Sequence, residues 1–147
     1  MQQVKYLLLS DAEAYFAARI NSDPWDLAED VLKEKALNHA ERNLERLPYK
    51  GLEITAGYIF PRDEQTAVPV RVMDAVCEEA LALLNGVMNE EELANLHVSS
   101  ASAAGFNTSV NELQERPWIE MGLASPIAWN LIAPYILDSY SFRTATA

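Results

Sequence analysis

The side chains of this sequence whose types could do chemistry are Cys77, His39, His97 and the acidic runs Glu78-Glu79 and Glu90-Glu91-Glu92. A thiol nucleophile needs a base beside it, and a zinc site needs several Cys or His at ligand spacing. Cys77 falls on the apolar stripe of an expected helix, where a buried, inert thiol is the ordinary outcome. His39 lies beside Glu41 and Arg42 and His97 opens a stretch of small residues, so surface or packing roles are expected for both. The acidic runs lack the alternating oxygen ligands and glycine turn of a calcium loop, and solvated helix faces are expected instead. The sequence has no glycine loop for phosphate, no G-x-S-x-G elbow and no paired-histidine motif. Neither an enzyme, nor a metal, nor a cofactor is expected.

Charge narrows the field further. The 147 residues carry 22 acidic against 11 basic side chains, a formal charge of -11. Residues 72–147 hold 10 acids but only Arg116 and Arg143 as bases, and no Lys or Arg occurs between Arg71 and Arg116. A surface that neutralises phosphates needs the opposite. Cys77 is the single cysteine, so an intrachain disulfide is excluded and a reducing compartment is expected. The apolar run near the N-terminus is too short for a signal-peptide core, and SPIAWNLIAPYIL at 125–137 is too short, and too broken by proline, to span a membrane.

These residues must be positioned by helices. Ser10-Asp11-Ala12-Glu13 has the form of a capping box and predicts a short helix to about Ile20. Asn21-Ser22-Asp23-Pro24 breaks it, and Trp25 is expected to fold back onto the core. A second helix is predicted over Asp30 to Leu47, its buried stripe Val31, Ala36, Leu37, Ala40, Leu44 and Leu47, with Lys33, Glu34, Glu41 and Glu45 opposite. Residues 49–68 read as a long ordered loop pinned by Tyr58 and Phe60. A third helix follows from about Pro69, with Val70, Met73, Val76, Cys77, Ala80, Leu81 and Leu84 buried, until Asn85-Gly86 stops it. A short fourth helix is expected over 89–96, a β-hairpin over 97–113, and a last helix from the cap Ser125-Pro126, ended by Pro134. The fold class is thus mainly α: a small bundle of about four to five helices with a β-hairpin insertion and a C-terminal extension. One domain over 1–138 and a tail over 139–147 are expected. Trp25, Phe60, Met73, Cys77, Leu84, Ile127 and Leu131 are the expected core anchors.

The ordered set LSDAEAYFAAR, PWD with KEKALNHAERNLERL, Tyr49-Lys50-Gly51, the FPR of 60–62, VPVRVMDAVCEEALALL and SPIAWNLIAPYIL resembles a family of tailed-phage proteins catalogued as "DnaT-like single-stranded DNA-binding protein". Members of that family look like head-tail connectors, also called adaptors or head-completion proteins. The match covers roughly residues 7–96 and 123–137, and Phe60 stands where members commonly have Trp. The resemblance implies a virion protein of the neck, assembled in the host cytoplasm as a ring, usually of twelve copies. Its implied partners are its own copies, the portal protein and a tail-proximal neck or tail-terminator protein. Duplex DNA would pass through the channel without specific binding. The alternative is a single-stranded-DNA-binding replication accessory protein, which would need a basic groove with aromatic platforms. The acidic second half suits a channel wall that repels phosphate. Aromatic residues and Arg anchor protein interfaces, so Tyr135, Tyr140, Phe142 and Arg143 are the candidate contacts with the portal or a neighbouring subunit.

Overall fold

A computed structural model describes residues 6–87 and 117–137. The described chain is mainly α. Helix α1 (Leu9–Ala17) is followed by a one-turn α2 (Asp23–Asp26) and the long α3 (Asp30–Glu45). Strands β1 (Glu53–Thr55) and β2 (Tyr58–Arg62) form an antiparallel hairpin before α4 (Val70–Leu84). A one-turn α5 (Pro117–Glu120), then α6 (Pro126–Ile132) and a 3-10 turn over Ala133–Tyr135, complete the order.

Helix α4 is the centre, packed between α3 and α6 and touched by α1 and α2. Being enclosed on several sides, it buries more than a stripe: Val72 and the unbroken run from Ala75 to Leu81 are all buried. The core joins residues from Tyr6 to Ile136, and two aromatic groups organise it. Phe16 stacks on Trp25 at 4.4 Å between ring centroids, locking α1 to α2. Phe60 meets Tyr6, Tyr49 and Tyr135 edge-on, which anchors the hairpin's second strand to the body. An antiparallel bridge between Tyr49 and Ile136 ties the end of α3 to the end of the described chain.

Several expectations need correction. Helix α1 begins at Leu9, with Asp11 Oδ2 accepting the Leu8 N–H at 2.9 Å, so the cap lies two residues before Ser10. It ends at Ala17, and Glu13 turns to Lys33 and the Trp25 indole instead of back to Ser10. On α3, Lys33 and Glu41 are buried and Val31 is 66% exposed. Two residues along a helix turn about 200°, so Val31 cannot share a face with Lys33, Ala36, Leu37 and Ala40. For the same reason Val70 is exposed while Val72 is buried. Residues 49–68 contain the hairpin, where a loop is the sequence expectation. Its alternation is hidden because all three residues of β1 are exposed. Ala56-Gly57 makes the turn, with Gly57 at φ +82°. The helix expected over 89–96 and the hairpin expected over 97–113 lie outside the described residues, as does His97.

The C-terminal helix follows its local signals. Ser125 is the cap, its Oγ accepting the Ala128 N–H at 3.0 Å, and Pro126 occupies the first turn. Ala128, Trp129 and Ile132 face inward, which leaves Ile127 outward and 46% exposed. Ile127 is therefore not a core anchor. No helix among the described residues is long and apolar enough to cross a membrane.

Candidate functional site

The acidic pair of α4, expected in solvent, is buried. Successive residues on a helix point about 100° apart, so Glu78 and Glu79 serve different neighbours. Glu78 faces α1: Arg19 donates to it through Nε at 2.6 Å and Nη2 at 3.0 Å, and the Tyr15 hydroxyl donates to the same carboxylate. The paired carboxylate holds the Arg19 guanidinium above its ordinary pKa. Burial, and then Glu78, push the Tyr15 phenol up.

Glu79 faces α3 and the entry to α6, fully buried. One oxygen accepts the N–H groups of Ala124 and Ser125, at 3.0 and 2.9 Å. The other accepts Ala124 N–H at 2.9 Å and the Asn43 amide at 3.0 Å. Asn43 is itself oriented by Arg46, which donates to Asn43 Oδ1 at 2.6 Å. Burial raises the Glu79 carboxyl, and these donors, together with Arg46, oppose the shift. The arrangement closes the entry to α6 onto the bundle. At the other end of that helix Arg71 donates to the carbonyls of Leu131 and Asn130, so α4 grips α6 at both ends.

A groove of about 770 Å³ opens beside Glu78. Its lining includes Arg19, Ile20, Pro24, Leu81, Asn85 and Ile127. Ile20 is 81% exposed. Because Glu78 is engaged by Arg19 and Tyr15, it offers the groove neither a free base nor an open metal ligand. Cys77 is buried, and burial, then Asp74 and Glu78, push its thiol up, away from thiolate character. Among the described residues no cluster of His, Cys, Asp and Glu is arranged to hold a metal ion.

The second unusual surface is the hairpin. From Gly51 to Tyr58 every residue is exposed, including Leu52 at 75% and Ile54 at 53%. Its base is held by Arg62, which donates to the carbonyls of Tyr49, Lys50, Ile59 and Gly51. Asp63 closes the other side, its Oδ1 accepting the Leu52 N–H at 2.8 Å. The hairpin root and the groove lie toward opposite ends of α4: Val72 and Val76 pack near Phe60, whereas Leu81 and Asn85 line the groove. From Val72 to Asn85 is 13 residues, about 20 Å along the helix.

The residues singled out in the sequence fall as follows. Trp25, Phe60 and Cys77 are buried, and Met73, Leu84 and Leu131 are half-buried against the core. Tyr135 is half-buried with its ring against Phe60, and its carbonyl accepts the Lys50 N–H at 2.9 Å. Tyr140, Phe142 and Arg143 lie outside the described residues. His39 is exposed on α3. Sequence reasoning missed Glu78, Glu79, Asn43, Arg62 and the apolar pair Leu52 and Ile54. Only the last left a local signal, two large apolar residues shortly before a glycine turn. No protein family, curated protein or solved structure matches the chain.

Proposed function

We propose that this chain is the subunit of a head-tail connector ring of a tailed phage, set between portal and tail and enclosing the channel through which DNA passes. The observation that carries this reading is the pair of exposed apolar surfaces at opposite ends of α4. One is the hairpin, with Leu52 and Ile54; the other is the groove rim, with Ile20 and Ile127. Large apolar side chains grouped on a surface mark contact sites. Two different surfaces on one subunit suit a head-to-tail contact, which closes into a ring when the rotation allows.

The disposition of cations supports the connector over the single-strand binder. Arg19, Lys33, Arg46, Arg62 and Arg71 all direct donors to carboxylates, an amide or carbonyls within the fold. The chain as a whole carries a formal charge of -11, which favours sliding of phosphate past the wall over its capture.

Electron microscopy of the protein mixed with its portal tests the proposal, with added ring density beneath the portal as the expected result. A salt-sensitive shift of a labelled single-stranded oligonucleotide at physiological ionic strength, with no added ring density, would overturn it in favour of the replication role.

A further inference from the structure

The sheet ends at β1, which among the described residues pairs with β2 alone. The opposite edge of β1 therefore faces no strand among the described residues, and Leu52 and Ile54 flank it, both exposed. A two-stranded hairpin with exposed apolar residues is marginal in water, and an open strand edge is a template for adding another strand.

The place where the described chain stops suggests the occupant. Leu137 N–H donates to Pro48 O at 2.9 Å and Lys50 N–H to Tyr135 O at 2.9 Å, around the antiparallel bridge of Tyr49 with Ile136. From Tyr135 to Leu137 the pairing thus runs from Lys50 to Pro48, away from β1. Ten residues follow, DSYSFRTATA, long enough to reach at most about 33–36 Å when extended. Within them Tyr140, Phe142 and Thr144 alternate with Ser139, Ser141 and Arg143, the period-two pattern of a strand with one apolar face.

We propose that residues 139–144 of one copy add as a third strand to the open edge of β1 in a neighbouring copy. Tyr140 and Phe142 then cover Leu52 and Ile54. This rests on the ring reading and gives it a lateral contact: each subunit offers a strand at one place and accepts one at another, as a heterologous interface requires. It also assigns the aromatic residues of the tail to a neighbouring copy and not to the portal.

Two full-length variants, Ile54→Cys and Phe142→Cys, carrying tags of different mass, are mixed and oxidised. A disulfide-linked species containing both tags is the expected result, and such a link joins separate copies by construction. The double variant I54C/F142C at high dilution serves as the counterpart. Closure within a single chain there, without linkage between tagged copies, would overturn the proposal by placing the strand on its own subunit. A ring that assembles without any linkage would overturn it too, while leaving the connector reading intact. For a chain that stays monomeric, a synthetic peptide of residues 138–147 is titrated while the amides of 52–55 are followed by NMR. Shifts there, about tenfold weaker for Ile54→Lys, keep the docking proposal while the ring reading fails. Absence of such shifts in the monomeric chain overturns it.

Discussion

Replacement of Glu79 tests whether a carboxylate fastens α6 to the bundle. In Glu79→Gln one oxygen remains for the N–H groups of Ala124 and Ser125, and the new NH₂ group is set against the third donor, the Asn43 amide. A buried N–H left without an acceptor costs about 1–3 kcal/mol. Release from the desolvation that raises the Glu79 carboxyl offsets part of this, because the neutral amide is easier to bury. Between these terms a net loss of about 1–2 kcal/mol is expected for E79Q, a measurable share of the stability of a domain this size. Glu79→Leu deprives all three donors and should lose more.

The assay is urea unfolding followed by circular dichroism, with amide exchange at Ala124 and Ser125 read in parallel. The midpoint should fall with little change in slope, as expected when contacts are lost without a change in the unfolded surface. Asn43→Ala provides a cycle: combined with E79Q it should cost less than the sum of the single changes, because the two side chains share a bond. An E79Q protein with an unchanged midpoint and unchanged exchange at Ala124 would refute the reasoning, since the carboxylate would then not be what holds that segment.

Gly51→Ala should destabilise by about 1–3 kcal/mol in thermal melts, because φ is +90° and a Cβ would fall 1.9 Å from Asp63 Oδ2. Lys33, and with it the Trp25 indole, lowers the Glu13 carboxyl despite partial burial. Its stabilising contribution is present above the ordinary carboxylate pKa and lost as pH falls through the lowered value, so Glu13→Gln should flatten the melting temperature in that acid window. The effect should stay within about 1 kcal/mol, because the Glu13 side chain is 44% exposed. Cys77 should resist a thiol reagent in the native protein and react fully in denaturant, measured by absorbance; rapid native labelling would contradict its burial.

The features legible in the sequence are those whose causes are local. Ser125 caps α6 because its hydroxyl is three residues from the amide it bonds, and Gly86 follows α4 with the positive φ that glycine permits. The bounds of α3 and α4 are legible because apolar periodicity and breakers act within a few residues. Glu78 and Glu79 are not, because a glutamate on a helix is solvated or buried according to what packs against it. Their partners are 36 to 63 residues away. The same holds for Lys33, whose ammonium reaches Glu13 at 2.8 Å while lying over the Trp25 ring, a pairing created by the stacking of Phe16 on Trp25. Long-range packing thus converts apparent surface charge into internal ties.

The surface is acidic and partly apolar at once. Each tie across α4 uses a base: Arg19 on Glu78, Arg46 through Asn43 on Glu79, Arg71 on the end of α6. The ties take Glu78 and Glu79 out of solvent while Arg46 and Arg71 stay exposed, so the excess of acid remains that of the composition, a formal charge of -11. Leu52 and Ile54 meanwhile remain exposed on a hairpin whose base is stiffened by the four carbonyl contacts of Arg62. An apolar edge on an otherwise acidic surface favours few contacts over many, since like charge disfavours association except where apolar surface is covered. Raising ionic strength should strengthen association between copies by screening the acids, whereas binding to a nucleic acid would weaken.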